Sequence, residues 1–248
     1  MKTRKNLNVT SGELDVKVPL SWGQLNDKEL HYIFTLKSQG RDNGEIKRLF
    51  FLRKAGLNPF REVKPGVWLC QSGKSACCVN VGALAVGVSK LDWMDAEPTY
   101  PVRLSEMHKC KAVSATLRCI SFGDWLALEN LHQGFILSKN PDAIRDMAEI
   151  LYPGINTKVL AGVDIFAINF WYVGIKIYFS NKYSDLFSGD GGSGAFNPEA
   201  SMDAMIRALT GGDVLKERPL LETVEVERAL KELNQKAREA AEFKAKTK

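Results

Sequence analysis

The sequence SFGDWLALEN, residues 121–130, opens a segment, 121–187, that also contains the apolar run VLAGVDIFAINFWYVGIKIYF at residues 159–179. A membrane span needs roughly 20 such residues, so the run is long enough to cross a bilayer. It also contains Asp164 and Lys176, and each costs roughly 2.5–3.5 kcal/mol at the centre of a membrane. We therefore predict that the run is a buried helix and that 121–187 forms an aromatic helical core.

Aromatic residues are spread around this predicted helix rather than confined to one face. They are Phe166, Phe170, Tyr178, Phe179, Tyr183 and Phe187. A helix that is apolar on more than one side must bury more than one side. Two interpretations stay open here: the helix lies at the centre of its domain, or it also meets a partner protein.

Capping signals predict two helices, paired as an αα-hairpin, in residues 1–60. Asn26 is followed three residues later by a Glu, which is the spacing of a capping box, and Asp42 is a typical N-cap residue. Gly40 and Gly56 follow the two amphipathic segments, at positions where glycine commonly ends a helix.

The pattern changes in residues 61–120, which we predict to be a small β-rich segment. Residues 67–70 and 76–79 predict a β-hairpin around the turn Ser72-Gly73-Lys74. A further strand is predicted at 102–104. The mixture makes the chain mainly α with a small β-rich middle, an α+β class.

The C-terminal part is predicted to be helical again. The Gly-rich residues 188–200 have the composition of a linker, and helices follow near 200–209 and 222–246. In the last helix, apolar residues alternate at spacings of four and three, as in a short coiled-coil seam. The predicted divisions are 1–60, 61–120, 121–187, 188–200 and 201–248.

The positive charge is concentrated in the N-terminal part of the chain, and the cysteine content favours a cytosolic protein. Residues 1–64 carry 13 Lys and Arg residues against 7 Asp and Glu residues, out of a net charge of +5 for the chain. The five cysteines are an odd number, and residues 1–20 contain no apolar leader. Reduced thiols are therefore expected.

No sequence motif predicts a catalytic site, a metal site or a cofactor. Gly73-Lys74-Ser75 resembles the end of a P-loop, but Trp68 stands where the first glycine of that motif is needed. The glycines of 189–194 fit G-x-G-x-x-G but follow a helix instead of a strand. The His and Cys residues lack the close pairs of zinc sites. Asp164 is expected to cap a helix or to pair with a polar side chain in the core.

A series of short motifs carries a resemblance to a known group of proteins. The motifs are Phe122-Gly123-Asp124-Trp125-Leu126, Glu129-Asn130, Gln133-Gly134, Leu151-Tyr152, Phe170-Trp171, residues 206–213 and a final helix rich in Ala, Glu and Lys. In this order they resemble proteins encoded by tailed phages and prophages of gut anaerobes. The part from Met202 onward is similar to tail assembly chaperones, which bind the tape measure protein while the tail tube polymerises. The specific motifs lie in 121–152 and 202–243, and 61–120 has no counterpart.

This resemblance implies a non-enzymatic role in tail morphogenesis, with a helical structural protein of the phage as partner. The residues predicted to contact it, from the aromatic helix and the C-terminal seam, are Phe170, Trp171, Val226, Leu230 and Leu233. An alternative is a virion structural protein, such as a connector or tail-completion component, which would remain in the particle.

A second alternative is a nucleic-acid-binding accessory protein of a mobile element. It depends on the basic N-terminal region and on four cationic residues of the second predicted helix, Lys47, Arg48, Arg53 and Lys54. These residue types are suited to phosphate contacts.

Overall fold

The computed structural model describes residues 16–73, 75–96, 98–187 and 198–247. The chain forms two compact units, residues 1–97 and 98–248. The predicted class is confirmed, because helices dominate and a small antiparallel sheet lies in the middle of the chain. The boundary between the units falls inside the predicted segment 61–120. Most of the predicted linker 188–200 lies outside the described residues.

The first unit combines an αα-hairpin with a three-stranded sheet. Its helices are α1 Asp27–Ser38, α2 Asn43–Lys54 and α3 Ala85–Ser89, and its strands are β1 Asn58–Lys64, β2 Val67–Ser72 and β3 Ser75–Asn80. The strands are antiparallel in the order β1-β2-β3. The predicted hairpin is confirmed as β2 and β3.

The predicted caps of α1 and α2 are confirmed. Asn26 Oδ1 accepts from Glu29 N at 3.1 Å, and the Glu29 carboxylate accepts from Asn26 N at 3.0 Å, which completes a capping box. The Asp42 side chain accepts a hydrogen bond from the backbone N–H of Glu45, three residues later. Gly40 and Gly56 have φ of 74° and 71°, a left-handed conformation that glycine adopts without steric strain.

Strand β1 and the short strands after residue 98 differ from the sequence prediction. β1 was not predicted, because it contains Pro59 and its pairing with β2 is irregular at two points. The strand predicted at 102–104 is wrong, since these residues form no ladder. Two-residue strands lie just beyond it, at β4 Glu106–Met107 and β5 Cys110–Lys111.

The second unit is a helical assembly. Its helices are α4 Phe122–Ser138, α5 Asp142–Leu151, α6 Gly162–Lys182, α7 Ser184–Phe187, α8 Pro198–Thr210, α9 Glu217–Thr223 and α10 Val226–Lys246. Helix α9 was not predicted. Just before α10 begins, Glu225 forms an isolated antiparallel β-bridge with Ser121. This bridge holds the starts of α4 and α10 together.

Helix α6 is the central element of the second unit. Trp171, Tyr172 and Ile175 are fully buried in it, and Trp171 Nε1 donates to Ala115 O at 2.9 Å. The Tyr152 ring meets Trp171 edge-on at 5.7 Å between centroids. The predicted buried helix is thus confirmed. No described helix has the combined length and hydrophobicity needed to cross a membrane.

Candidate partner-binding site

The residues predicted to contact a partner lie mainly in the core of the second unit. Trp171, Val226 and Leu230 are 0 % exposed and Leu233 is 4 % exposed, so a partner cannot reach them in this conformation. Phe170 is half-buried and stacks on Phe166, with 6.1 Å between centroids. The apolar spacing that predicted a docking seam is the same spacing that packs a helix onto its own core.

Two of the four cationic residues predicted for nucleic acid are ion-paired within the first unit. Lys47 is buried; its Nζ lies 2.7 Å from Asp92 Oδ1 and also contacts Asp95. Burial opposes the charge of Lys47, but the bonds to these carboxylates prevail and raise its pKa. Lys54 Nζ lies 2.8 Å from Glu29 Oε1. A phosphate would have to displace these carboxylates.

The other two, Arg48 and Arg53, lie in different surroundings. Arg48 lines a groove together with Glu45 and Glu62, whose charges oppose an anion. The guanidinium carbon of Arg53 lies 4.2 Å from the centroid of the Tyr32 ring. The structure therefore does not assemble the four residues into one basic surface.

A cavity of about 360 Å³ lies among α4, α6, α7 and α8, all in the second unit. We call it the α4–α8 cavity. Its apolar lining includes Trp125, Leu126, Phe179, Phe187, Met202 and Met205. Its volume is at the lower end of the range for ligand sites in proteins, roughly 300–1,000 Å³.

Glu129, Tyr172 and Lys176 form a polar group beside this apolar lining. Lys176 Nζ lies 2.6 Å from Glu129 Oε2, and the Tyr172 hydroxyl donates to Glu129 Oε1 at 2.8 Å. Burial, with the adjacent Glu129 charge, raises the pKa of Tyr172, so the phenol stays protonated and can donate. The group ties α4 to α6 and fixes one wall of the cavity.

His132 extends this polar group between the same two helices. It is 3 % exposed, its ring centroid is 5.0 Å from that of Tyr172, and its Nε2 lies 3.2 Å from Asn169 Oδ1. Burial and then the positive charge of Lys176 lower the pKa of His132. A neutral imidazole that donates through Nε2 is the form this site favours.

The Trp125 indole also lines the cavity and carries a polar N–H group. Its Nε1 is buried and finds no acceptor among the described residues. The ring is held by Phe122, stacked at 5.6 Å, and by Phe179, edge-on at 6.5 Å between centroids. A buried donor without a partner is energetically unfavourable.

No protein-family model matches the chain. Neither the curated proteins nor the solved structures give a match.

Asp164 has a structural role at the start of α6. Its Oδ2 accepts from Ala161 N at 2.8 Å and lies 3.0 Å from His108 Nε2. The expectation that this acid caps a helix is confirmed, and the polar group beside it, His108, is 40 % exposed and so does not lie in the core. Within the described part of the chain, no cluster of three or more His, Cys, Asp or Glu residues is placed to hold a metal ion.

The sequence prediction missed Met202 and Met205, which line the cavity from α8. Their i, i+3 spacing gives one apolar helix face, but periodicity alone does not show what that face covers. Trp125 and Leu126, about 80 residues earlier in the chain, form the opposite lining. A contact between such distant segments appears only in the folded protein.

Proposed function

We propose that this protein is a non-enzymatic tail morphogenesis protein of a tailed phage or prophage. In this role it acts like a tail assembly chaperone and binds a helical structural partner, such as the tape measure protein. The observation that carries the proposal is the α4–α8 cavity, a pre-formed site with an apolar lining and a tethered polar group. Its chemistry suits recognition of one face of an amphipathic helix.

The lining explains how such a partner would be held. Two methionines stand among aromatic rings, and the flexible thioether adapts to apolar side chains of different shape. A helix offers apolar residues at i, i+3, i+4 and i+7, and a groove binds those anchors while the polar face stays in water. The Lys176 and Glu129 charges neutralise each other, so the site does not select for strong partner charge.

The positions of the motifs that carry the resemblance are consistent with this proposal. Segment 121–152 supplies Trp125 and Leu126, and segment 202–243 supplies Met202 and Met205. The two segments whose motifs carry the resemblance to phage and prophage proteins thus both contribute to the lining of one cavity. This revises the contact residues: Trp171, Val226, Leu230 and Leu233 support the site from the core.

Co-purification with a long helical tape measure protein, encoded by a gene adjacent to that of this chain, would test the proposal. In Met205→Lys, a charge enters the apolar lining from a half-buried position, so co-purification should be lost. In the matched control Leu215→Lys, the substituted side chain is 87 % exposed and outside the cavity, so co-purification should remain. If wild type fails to co-purify while both proteins remain in solution, the proposal is wrong.

The second candidate function is that of a structural protein that remains in the virion. The C-terminal end of α10 favours it. Every described residue from Arg238 onward is exposed, and Phe243 is 70 % exposed. The end of α10, with its exposed ring, is therefore accessible to another protein of the particle. Mass spectrometry of purified particles separates the two candidates, because a transient chaperone is absent from them and a structural component is present at fixed stoichiometry.

A further inference from the structure

A second pocket, of about 370 Å³, lies in the first unit among α1, α2, β1 and β2. We call it the arginine pocket, defined by Tyr32, Arg41, Arg53, Asn58 and Trp68. Its lining, as described, contains two arginines and no Asp or Glu. It therefore combines two cationic groups, two aromatic rings and one amide.

Arg53 is prepared for an anion by its position on Tyr32. Its guanidinium carbon lies 4.2 Å from the centroid of the Tyr32 ring, and this stacking restrains the side chain. Burial raises the pKa of Tyr32, so the phenol remains neutral and brings no negative charge to the site. Less side-chain entropy is then lost when an anion binds.

The charge of the first unit also favours an anion. Residues 1–97 contain 15 Lys and Arg residues and 10 Asp and Glu residues, so the whole net charge of +5 lies in this unit. Arg41 contacts Glu45 four residues later on the same helical hairpin. The Arg41 and Glu45 side chains are 40 % and 28 % exposed, so water screens the pair, and a bound phosphate has to compete with Glu45 for Arg41.

The Trp68 side chain favours an anion that carries an aromatic base over a bare anion such as inorganic phosphate. It lies on β2, opposite Val79 of β3 and Glu62 of β1, and is half-buried. An indole of this kind offers a flat surface on which a base can stack, and stacking tolerates any base. Inorganic phosphate would leave this surface unused.

We infer that the arginine pocket binds a nucleotide, with its base against Trp68 and its phosphate at Arg41 and Arg53. This site is separate from the α4–α8 cavity and goes beyond the proposed tail function. The nucleotide can be free or part of a single strand, since both present the same base and phosphate. A helix-turn-helix contact through Lys47 and Lys54 is not part of this inference.

The test is a titration of the full chain at low salt with four probes: a mononucleotide, a single-stranded oligonucleotide, inorganic phosphate and an acidic peptide. We expect one or both nucleotide probes to bind at least about tenfold more tightly than phosphate or the peptide, a difference of about 1.4 kcal/mol. Stronger binding of the oligonucleotide assigns the site to a strand, and equal binding assigns it to free nucleotides. Equal affinity for phosphate or for the peptide would overturn the inference, as would no binding of either nucleotide probe.

Variants locate the site. Arg53→Gln and Trp68→Leu should each weaken nucleotide binding about tenfold or more, because one removes the charge and the other removes the stacking surface. Arg61→Gln is the matched control, because Arg61 is exposed on β1 and does not line the pocket. An equal loss in Arg61→Gln and Arg53→Gln would show only nonspecific charge attraction and would overturn the assignment. Circular dichroism confirms that each variant is folded.

Discussion

Lys176 of α6 and Glu129 of α4 form an ion pair of 2.6 Å at the α4–α8 cavity. The side chains are 33 % and 16 % exposed, so water screens the pair less than it screens a surface pair. Because Glu129 also accepts the buried Tyr172 hydroxyl, one carboxylate satisfies two partners. This arrangement holds the polar side of the cavity in place before any ligand arrives.

We expect Glu129→Ala to destabilise the second unit by about 2–3 kcal/mol. The substitution leaves a buried phenol and an ammonium group without their acceptor, which is more costly than losing a surface pair. Urea unfolding at neutral pH measures the change. Glu222→Ala is the matched control. The Glu222 side chain is 58 % exposed and that of its partner Arg218 is 85 % exposed, so this ion pair contributes roughly 0–1 kcal/mol to stability. Equal effects of the two substitutions would contradict the structural role of Glu129.

Two glycines of α4 should respond to alanine with opposite signs. A Cβ at Gly123 would lie 2.7 Å from Leu221 O in α9, so Gly123→Ala must push two backbones apart and should cost about 1–3 kcal/mol. A Cβ at Gly134 meets nothing within 4 Å, so Gly134→Ala should stabilise the helix by about 0.5–1 kcal/mol. Thermal unfolding of both variants tests this, and a stabilised Gly123→Ala would contradict the close approach of α4 and α9.

His132 should make the second unit less stable in mild acid. Its pKa is lowered in the folded state by burial and by Lys176, so below about pH 6.5 the unfolded chain binds more protons than the folded protein. The free energy of unfolding should therefore decrease as the pH falls through this range, and His132 should contribute no pH dependence above it.

The measurement is the unfolding free energy of wild type and His132→Gln between about pH 5 and pH 7.5. The variant should have a shallower slope below about pH 6.5, whatever its stability at neutral pH. His31→Gln is the control, because His31 is exposed on α1. If the slope is unchanged in His132→Gln, protonation of this residue is not coupled to unfolding.

Local signals in the sequence predicted the helices well. The Asn26 capping box and the Asp42 cap depend only on residues three positions apart, so the sequence contains all the information they need. Helix α9 was missed because Pro219 lies in a segment of only seven residues. Strand β1 was missed because Pro59 and exposed charged residues hide its pairing with β2.

The candidate site was not predictable in the same way. Apolar spacing identified Val226, Leu230 and Leu233 as one face, but the same spacing serves a core or a partner interface. Whether a face is covered depends on segments that are distant in sequence. The cavity forms because α8 packs against α4. No local sequence pattern in either helix predicts that contact.

The central claim is that the α4–α8 cavity binds an apolar helical face, and calorimetric titration with amphipathic peptides that span a tape measure protein tests it most directly. We predict binding with a negative heat-capacity change, and an affinity at least about tenfold weaker in Met205→Lys than in wild type or in the exposed control Leu215→Lys. Equal affinity in all three proteins, or no binding of any peptide spanning the partner, would contradict it.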